Sequence, residues 1–390
     1  MPSSNLYGLS QPTQDGIYRV LEAVLSELDQ TAEGRVLWIN LREEPILYIH
    51  GVPYVLRNEA VSLRNVKSYA GISSSRLELL EDRLKGDVIN ELRAFEGRLL
   101  LHTETTDGVV PVWVQVDEPE VAIKTLRELM DEVAAKAPNV QYRRIPITAE
   151  RAPDFSDVKD IVESVAQLEV KDTVVVNCQL GRGRSTRAQV IIELVHRFIQ
   201  GGGHGLISAA SATASPRPSF TVINNLLRTL RHGQEIKNVV DEAITACNGS
   251  LDLLESIEAS RQSALEAESD DDKARFVDKG LKDLRSYYFL VLFASWLNET
   301  RAETWRELVD ESSYEGYVRN RPEWKTIERE LDHARVEALA PLERAGKASG
   351  VAGQDEVAEF VSKRSGRILS AYSQFTCGLH LAVPFECALT

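Results

Sequence analysis

The sequence has few cysteines and no long apolar run. Its four cysteines show no close pairing typical of a disulfide framework: Cys178, Cys247, Cys377 and Cys387. No run of 18 apolar residues occurs, so no transmembrane helix is expected. The first residues lack the basic-then-apolar pattern of a secretory signal. Because a nucleophilic thiol would need reducing conditions, these absences predict a cytoplasmic location.

Recognisable metal and nucleotide sites are also missing. The seven histidines and the cysteines show no spacing typical of zinc ligands. No Gly-Lys-Ser/Thr sequence is present, so no nucleotide-binding loop of that type is predicted. A Gly-x-Ser-x-Gly nucleophile elbow is absent as well. We therefore expect no metal and no cofactor, and metal-dependent hydrolysis and kinase chemistry both lack their parts.

Positive charge is in deficit. The chain has 45 basic and 59 acidic residues, a net charge of −14, which argues against nucleic acid as a general partner. Any phosphate binding must then depend on a local group of basic side chains. A hydrophobic content of 43% and a length of 390 residues are enough for a large core.

The order of predicted elements indicates an α/β protein. Residues 1–15 are rich in turn formers, and strands and helices alternate after them. Strands are predicted over 36–41, 46–49, 54–56, 99–102, 110–116, 140–147 and 173–176, and helices over 16–28, 76–95 and 121–136. The pair around His50-Gly51 is predicted to be a hairpin. This alternation predicts a mostly parallel central sheet flanked by helices.

One stretch places a cysteine between a buried strand and a buried helix. The β-branched run over 173–176 predicts the strand, and apolar residues over 190–198 recur at helical spacing. Between them lies what we call the cysteine loop: Cys178-Gln179-Leu180-Gly181-Arg182-Gly183-Arg184-Ser185. Glycines let successive backbone N–H groups point into one concavity, and the helix N-terminus adds partial positive charge. The loop therefore predicts an anion site.

The residue types in the cysteine loop predict chemistry on phosphate. Arg184, six residues after Cys178, can return to the loop and bind a phosphate with two parallel hydrogen bonds. Electropositive surroundings lower the pKa of a thiol and favour the nucleophilic thiolate. Ser185 could hydrogen-bond the sulfur. The alternative is a small buried cysteine beside a glycine-rich turn, but the coincidence of these residues after a strand favours the phosphate site.

The motif Cys-x5-Arg-Ser resembles the signature of the protein tyrosine phosphatase superfamily. Three more stretches resemble its phytase-like branch and the paladin-like proteins within it: Tyr7-Gly8-Leu9-Ser10-Gln11-Pro12-Thr13, Trp38-Ile39-Asn40-Leu41-Arg42-Glu43-Glu44-Pro45 and Tyr142-Arg143-Arg144-Ile145-Pro146. Asn177 before the cysteine is another paladin-like feature. The resemblance covers about the first 250 residues. It implies the cysteine-phosphatase fold, a phosphocysteine intermediate, and inositol phosphates or phosphoinositides as substrates.

The resemblance also implies a general acid on a loop upstream of the cysteine. In the phytase-like pattern the acid directly follows a threonine, and in this sequence that position is Ala149. Glu150 is the preferred substitute and Asp154 the other, although either could be an ordinary solvated carboxylate and Asp154 could cap the next helix. Loss of the acid would slow phosphoryl transfer by roughly 10²–10⁴-fold and leave phosphate binding intact.

Further basic residues are candidates for the substrate pocket. Arg182 lies between the two glycines, where the resemblance implies contact with a second phosphate group. Arg42 follows a predicted strand, at the edge where α/β sheets bind ligands, but it could equally pair at the surface with one of the next two glutamates. Arg151 and Arg187 could enlarge the pocket.

The chain divides into a phosphatase domain and a helical extension. The phosphatase domain is predicted over 1–248, with a flexible insertion at 200–219, and the helical extension over 249–350. Its most apolar stretch, 287–297, is predicted to be a buried core helix. Residues 351–390 are a linker and a tail that resembles the start of a further repeat.

Three functions compete at this point. The first is a cysteine-dependent phosphatase that acts on a multiply phosphorylated small molecule or lipid headgroup. The second is a pseudophosphatase that binds phosphorylated ligands or a phosphoprotein, which Ala149 favours. The third, a structural scaffold, rests only on the long helical region.

Overall fold

The protein is described by a computed structural model. The described residues are 5–28, 34–56, 69–105, 108–148, 151–169, 171–203, 205–207, 217–301, 314–332 and 336–341. The predicted linker and tail over 351–390 lie outside them, as do 208–216 of the predicted insertion.

The strands lie in the first half of the described chain, whereas helices occur throughout it. The strands are β1 (Asn5–Leu9), β2 (Val36–Asn40), β3 (Ile46–Ile49), β4 (Val52–Val55), β5 (Arg98–Thr105), β6 (Gly108–Gln115), β7 (Ile123–Thr125), β8 (Val140–Arg144) and β9 (Thr173–Asn177). The helices are α1 (Gln14–Leu28), α2 (Ser74–Ala94), α3 (Pro119–Ala122), α4 (Leu126–Lys136), α5 (Phe155–Val165), α6 (Gly183–Gln200), α7 (Thr221–Leu227), α8 (Gly233–Ala246), α9 (Leu253–Glu266), α10 (Asp270–Glu299), α11 (Tyr314–Arg319) and α12 (Pro322–Glu328).

The central sheet is parallel and has the strand order β1-β9-β2-β8. Every residue of β2 and β9 is buried, because helices cover both faces of the sheet. The strands end in register, with Asn177 opposite both Leu9 and Asn40. The segments that follow β1, β2 and β9 therefore lie together at one edge. This is the edge where open α/β sheets bind ligands.

The first strand was not expected. Residues 5–9 pair along their whole length with β9, so the expectation of turns there is wrong. The strand lies at the edge of the sheet and is only partly buried, which leaves no clear alternation in its sequence. A Cβ atom at Gly8 would lie 2.5 Å from Gln189 Oε1 of α6, so a side chain there would require the Gln189 side chain to move.

Antiparallel pieces stand beside the parallel sheet. The hairpin predicted around His50-Gly51 is confirmed as β3–β4, and both turn residues have positive φ, 50° and 77°. The strands predicted over 99–102 and 110–116 exist but pair only with each other, as β5–β6. Their connection is too short for the crossover that a parallel pairing needs.

Alternate residues of the central strands enter two hydrophobic clusters. Leu37, Ile39, Val174 and Val176 face the cluster formed with α5, α6 and the C-terminal helices. Trp38 and Val175 face the other cluster, which includes side chains of α1 and α4. The central sheet flanked by helices is thus confirmed.

The C-terminal helices share the core of the cysteine-loop helix. Buried side chains of α6, α8, α9 and α10 form one cluster, which extends to Leu339. The stretch 287–297 lies in α10 and is almost entirely buried, so the predicted core helix is confirmed. None of the described helices is both long and apolar enough to span a bilayer. The domain division at 248 stays a prediction.

Candidate active site

The first half of the cysteine loop is held by the residues that follow β1. The backbone N–H of Cys178 donates to the Leu9 carbonyl oxygen at 3.3 Å. The N–H of Gln11 donates to the Gln179 carbonyl oxygen at 3.1 Å. The loop is therefore closed by chain that lies almost 170 residues earlier in the sequence.

The two glycines of the loop play different parts. Gly181 has a φ of +69°, and a Cβ atom there would lie 2.6 Å from the Leu9 carbonyl carbon. Both the backbone conformation and the close approach therefore require glycine. Gly183 begins α6, and a Cβ atom there would lie 3.8 Å from Arg187 Nη1, at ordinary contact distance.

Alanine substitution of these two glycines should lower stability at Gly181 but not at Gly183. Gly181→Ala is expected to lose at least about 1–2 kcal/mol of unfolding free energy, because a side chain in the left-handed region is strained and the Leu9 backbone must move. Gly183→Ala is the matched control and should be close to wild type in stability. Urea unfolding measures the stability of the two variants, and titration with inorganic phosphate measures their phosphate affinity. Equal stability and equal phosphate affinity of the two variants would contradict this account of the loop.

Cys178 lies at the base of the loop and is only 3% exposed. Burial raises the pKa of its thiol, but the Arg184 charge, the Ser185 hydroxyl and the backbone N–H groups of Ser185 and Leu180 together lower it by more. The resulting pKa lies below that of an ordinary thiol. Ser185 Oγ is buried with no hydrogen-bond partner among the described residues, which leaves the hydroxyl available to the nearby Cys178 sulfur.

Arg184 is fixed at the sheet edge by backbone carbonyl groups. It is 5% exposed, and its Nη1 donates to the Ile147 carbonyl oxygen at 3.1 Å and to that of Leu41 at 3.5 Å. The same nitrogen lies 3.9 Å from Glu44 Oε2. Arg184 is therefore oriented before any ligand binds.

Arg42 is paired with Glu44, but in the interior. Its Nε donates to Glu44 Oε2 at 3.2 Å, and its backbone N–H donates to Asn40 Oδ1 at 2.9 Å. The glutamate partner is as expected, whereas the surface location is wrong, since both side chains are buried. Burial raises the pKa of Glu44, but Arg42 and Arg184 lower it by more, to about 2. One carboxylate thus serves both arginines.

Arg144 and Glu81 support this arrangement from behind and were missed by sequence reasoning. Arg144 donates from Nε to the Arg42 carbonyl oxygen and from Nη2 to that of Glu44, each at 2.9 Å. It also pairs with Glu81 Oε1 at 3.2 Å, and both side chains are almost completely buried. The available signal was an arginine at the end of a buried strand and a glutamate on the apolar face of α2.

The residue before the cysteine is the centre of a polar network. Asn177 Oδ1 accepts from Trp38 Nε1 at 2.8 Å, and its Nδ2 donates to Gln11 Oε1 at 3.2 Å. Asn40 Nδ2 donates to the same Gln11 oxygen, and Gln11 Nε2 donates to the Tyr48 hydroxyl. Side chains from β2, β3 and the segment after β1 therefore fix the end of β9.

The exposed side of the loop carries Leu180 and Arg182. Leu180 is largely exposed and Arg182 is partly exposed, while Gly181 between them is buried. Arg182 immediately precedes the first residue of α6. It therefore lies at the positive end of the helix, where an anion is favoured.

The acid loop is described only in part. Ala149 and Glu150 lie outside the described residues, so the general acid stays a prediction. Arg151 is exposed and pairs with Asp154 at 2.9 Å, so Arg151 in the pocket also remains a prediction. Asp154 caps α5, since its Oδ1 accepts from the Asp157 N–H at 3.0 Å. Burial raises its pKa, but hydrogen bonds and Arg151 lower it by more, which does not suit a proton donor.

Among the described ranges, no group of three histidine, cysteine, aspartate or glutamate side chains could hold a metal ion. Cys247 is buried and belongs to the hydrophobic cluster of the helical region. Burial raises the pKa of Cys247 to about 12, so its thiol is protonated at neutral pH.

Comparisons with known proteins point to one family. Residues 39–196 match the PTP-like phytase family model, whose description is "Inositol hexakisphosphate". Paladin from Gallus gallus is 25% identical over 321 residues, which cover 78% of this chain and 35% of paladin. Paladin from Homo sapiens is 26% identical over 318 residues, which cover 78% and 34%. The chain thus spans about a third of the length of the curated relatives it matches.

A solved structure is similar at lower identity. It is the PTP-like myo-inositol phosphatase from Mitsuokella multacida in complex with myo-inositol-(1,3,4,5)-tetrakisphosphate. The identity is 13%, the match covers 82% of this chain and 41% of that chain, and the TM-score is 0.48. The family match over 39–196 includes the whole cysteine loop, and over most of its length the chain is similar to the paladins.

Proposed function

We propose that the chain is a cysteine-dependent phosphatase that releases inorganic phosphate from a phosphorylated substrate. The observation that carries the proposal is the lowered pKa of the Cys178 thiol inside a loop built from backbone N–H groups and Arg184. The match of residues 39–196 to the PTP-like phytase family model supports it. A thiolate beside a fixed guanidinium is suited to attack phosphorus, because the guanidinium also binds the phosphate oxygens.

The reaction has two steps. Cys178 Sγ attacks phosphorus, the bond to the leaving oxygen breaks, and that oxygen takes a proton from the general acid, for which Glu150 is proposed. Arg184 and the loop N–H groups stabilise the equatorial oxygens in the transition state. Water then attacks the phosphocysteine and gives a proton to the same acidic residue, the S–P bond breaks, phosphate leaves with the water oxygen, and Cys178 departs as a thiolate that the Ser185 hydroxyl stabilises.

The proposed substrates carry several phosphate groups, as inositol phosphates and phosphoinositide headgroups do. The description of the family model supports this substrate class. Arg182 at the positive end of α6 is proposed to meet a second phosphate group, since a guanidinium binds phosphate oxygens bidentately. Gln179, Leu180, Gly181 and Gly183 are proposed to contribute backbone N–H groups to the first phosphate site.

A pseudophosphatase is the second candidate. Ala149 at the position of the expected acid favours it, because an alkoxide leaving group needs a proton. Arg42, buried beside Glu44, would in either case act on the ligand mainly through the charge around Arg184.

Phosphate release from two substrates by the full chain tests both candidates. The phosphatase should release phosphate from p-nitrophenyl phosphate, whose leaving group needs little protonation, and from inositol hexakisphosphate. Without a general acid, release from inositol hexakisphosphate alone should be slower by roughly 10²–10⁴-fold. Binding of inositol hexakisphosphate without release from either compound would support the pseudophosphatase. If the chain neither binds inositol hexakisphosphate nor releases phosphate from either compound, both candidates are overturned.

A further inference from the structure

Arg187 lies one turn into α6 and is held by the C-terminal helices. It is 7% exposed, and its Nη2 donates to Asp283 Oδ1 of α10 at 2.5 Å. The other Asp283 oxygen accepts from Ser256 Oγ of α9 at 2.7 Å. Arg187 is thus held by α10 of the predicted extension, and α9 holds its partner Asp283.

The rest of the Arg187 guanidinium has no partner among the described residues. Its Nε is buried and makes no hydrogen bond, and the bond to Asp283 is the one that the described residues provide. Buried donors are normally satisfied, so an unpaired one indicates a missing acceptor. Phosphate oxygens are acceptors that match the guanidinium in charge and geometry.

The position of the guanidinium relates it to the cysteine loop. Arg187 Nη1 lies 3.8 Å from the place of a Cβ atom on Gly183, the first residue of α6. Long helical side chains lean toward the helix N-terminus, which explains this approach. The guanidinium therefore lies against the end of α6 that carries the loop, on the side of the C-terminal helices.

The charge of the surrounding cluster does not cancel. Lys279 Nζ donates to Ser256 Oγ at 3.2 Å and to Ser260 Oγ at 3.1 Å. The cluster of Arg187, Lys279 and Asp283 therefore holds two positive groups and one negative group. This excess favours an anion beside Arg187, although solvent screens the contribution of the exposed Lys279.

We propose that Arg187 is a specificity-determining residue that binds a further phosphate group of the substrate, other than those assigned to the cysteine loop and to Arg182, with Asp283 and Ser256 as its positioning residues. This proposal rests on the proposed function. The substrate's first phosphate group occupies the cysteine loop and Arg184, and an adjacent phosphate group meets Arg187. The C-terminal helices thus contribute to the choice of substrate, because anchoring the guanidinium reduces the entropy lost on binding.

The test compares a multiply phosphorylated substrate with a singly phosphorylated one. For Arg187→Met, the ratio of kcat/KM for inositol hexakisphosphate to kcat/KM for p-nitrophenyl phosphate should fall about 10- to 100-fold, the loss expected for one charge-assisted contact. Asp283→Asn, which keeps the side-chain volume, should lower the ratio in the same direction by a smaller factor. It also serves as the test if Arg187→Met does not fold.

Arg197 provides the matched control on the same helix. It pairs with Glu193 and Glu242 and lies ten residues further from the loop, about 15 Å along the helix axis. Arg197→Met should leave the ratio unchanged even if it lowers stability. A ratio within twofold of wild type for folded Arg187→Met and Asp283→Asn, or an equal fall for Arg197→Met, would overturn the proposal.

Binding measurements separate this proposal from the proposed function. Titration of wild type and Arg187→Met with inositol hexakisphosphate and with inorganic phosphate gives a ratio of Kd values that does not require turnover. A changed Kd ratio without any phosphate release would retain the Arg187 site and reject the phosphatase. Vesicles that carry phosphatidylinositol 4,5-bisphosphate form a second arm for a lipid headgroup. If Arg187→Met binds inositol hexakisphosphate or these vesicles more weakly than wild type does, relative to inorganic phosphate, the site is supported. If neither affinity falls, the proposal is overturned.

Discussion

Replacing Cys178 by serine is expected to abolish phosphate release, with a loss of at least about 10⁴-fold in kcat. An alcohol at this position stays protonated at neutral pH, whereas the surroundings of Cys178 lower the pKa of a thiol. The phosphate site itself should survive, because Arg184 and the loop N–H groups are held by other residues. Calorimetric titration should therefore show that Cys178→Ser binds inositol hexakisphosphate, and the assay of phosphate release should show that it does not hydrolyse it.

Cys247→Ser is the control for this experiment. Cys247 is also buried, but burial raises the pKa of its thiol to about 12, and it directly follows α8 and lies outside the cysteine loop. This variant should keep wild-type kcat when it is folded. The assignment of the nucleophile would be contradicted if Cys178→Ser turned over substrate at the wild-type rate. It would also be contradicted if folded Cys247→Ser lost turnover while Cys178→Ser kept it.

Glu44→Ala is expected to cost about 3–5 kcal/mol of unfolding free energy. The carboxylate is completely buried and lies 3.2 Å from Arg42 Nε and 3.9 Å from Arg184 Nη1. Its removal leaves two buried guanidinium groups without their shared counter-ion. The orientation of Arg184 should loosen as well, so kcat/KM should fall with stability. Urea unfolding monitored by circular dichroism measures the stability of Glu44→Ala and of Glu44→Gln.

The effect of Glu44 should depend on pH with a defined sign. Its pKa in the folded protein is about 2, below the ordinary value of 4.5. Its stabilising charge is therefore present above pH 4.5 and is lost as the pH falls from there toward 2. The difference between wild type and Glu44→Gln should shrink over the same window.

Glu120→Ala is the control for a pair in solvent. Glu120 lies 3.6 Å from Arg93, and both side chains are more than two-thirds exposed. Its removal should change the free energy of unfolding by at most about 0.5 kcal/mol. If Glu44→Ala and Glu120→Ala had the same free energy of unfolding at neutral pH, the buried arginines would not need the carboxylate.

The strand, loop and helix around Cys178 could be predicted because their determinants are local. The β-branched run, the glycine positions and the spacing of Cys178 and Arg184 all lie within about 25 residues. Each of them has a physical meaning that does not depend on the rest of the chain. The same holds for the turn at His50-Gly51, where two successive residues take positive φ.

The remainder of the site depends on partners that are far apart in the sequence. β1 escaped prediction because its pairing with β9, rather than its own pattern, makes it a strand. Arg144 and Arg187 look like solvated residues in the sequence, because the buried carboxylates that pair with them lie on other segments. The partner of Arg42 is only two residues away, but the burial of the pair has no local signal. Asp283 is 96 residues from Arg187, and no local rule relates the two.

The closure of the cysteine loop by the segment after β1 has a consequence for folding. Asn177 and Gln11 are 166 positions apart, and contacts of such long sequence separation form late because their loop-closure entropy must first be overcome. In a partly folded chain in which α6 has formed but β1 has not docked, the loop would lack its hydrogen bonds to Leu9 and Gln11, and we expect the Cys178 thiol to be less reactive. Thiolate reactivity at Cys178 is therefore a marker of completed assembly, which helical content alone does not report.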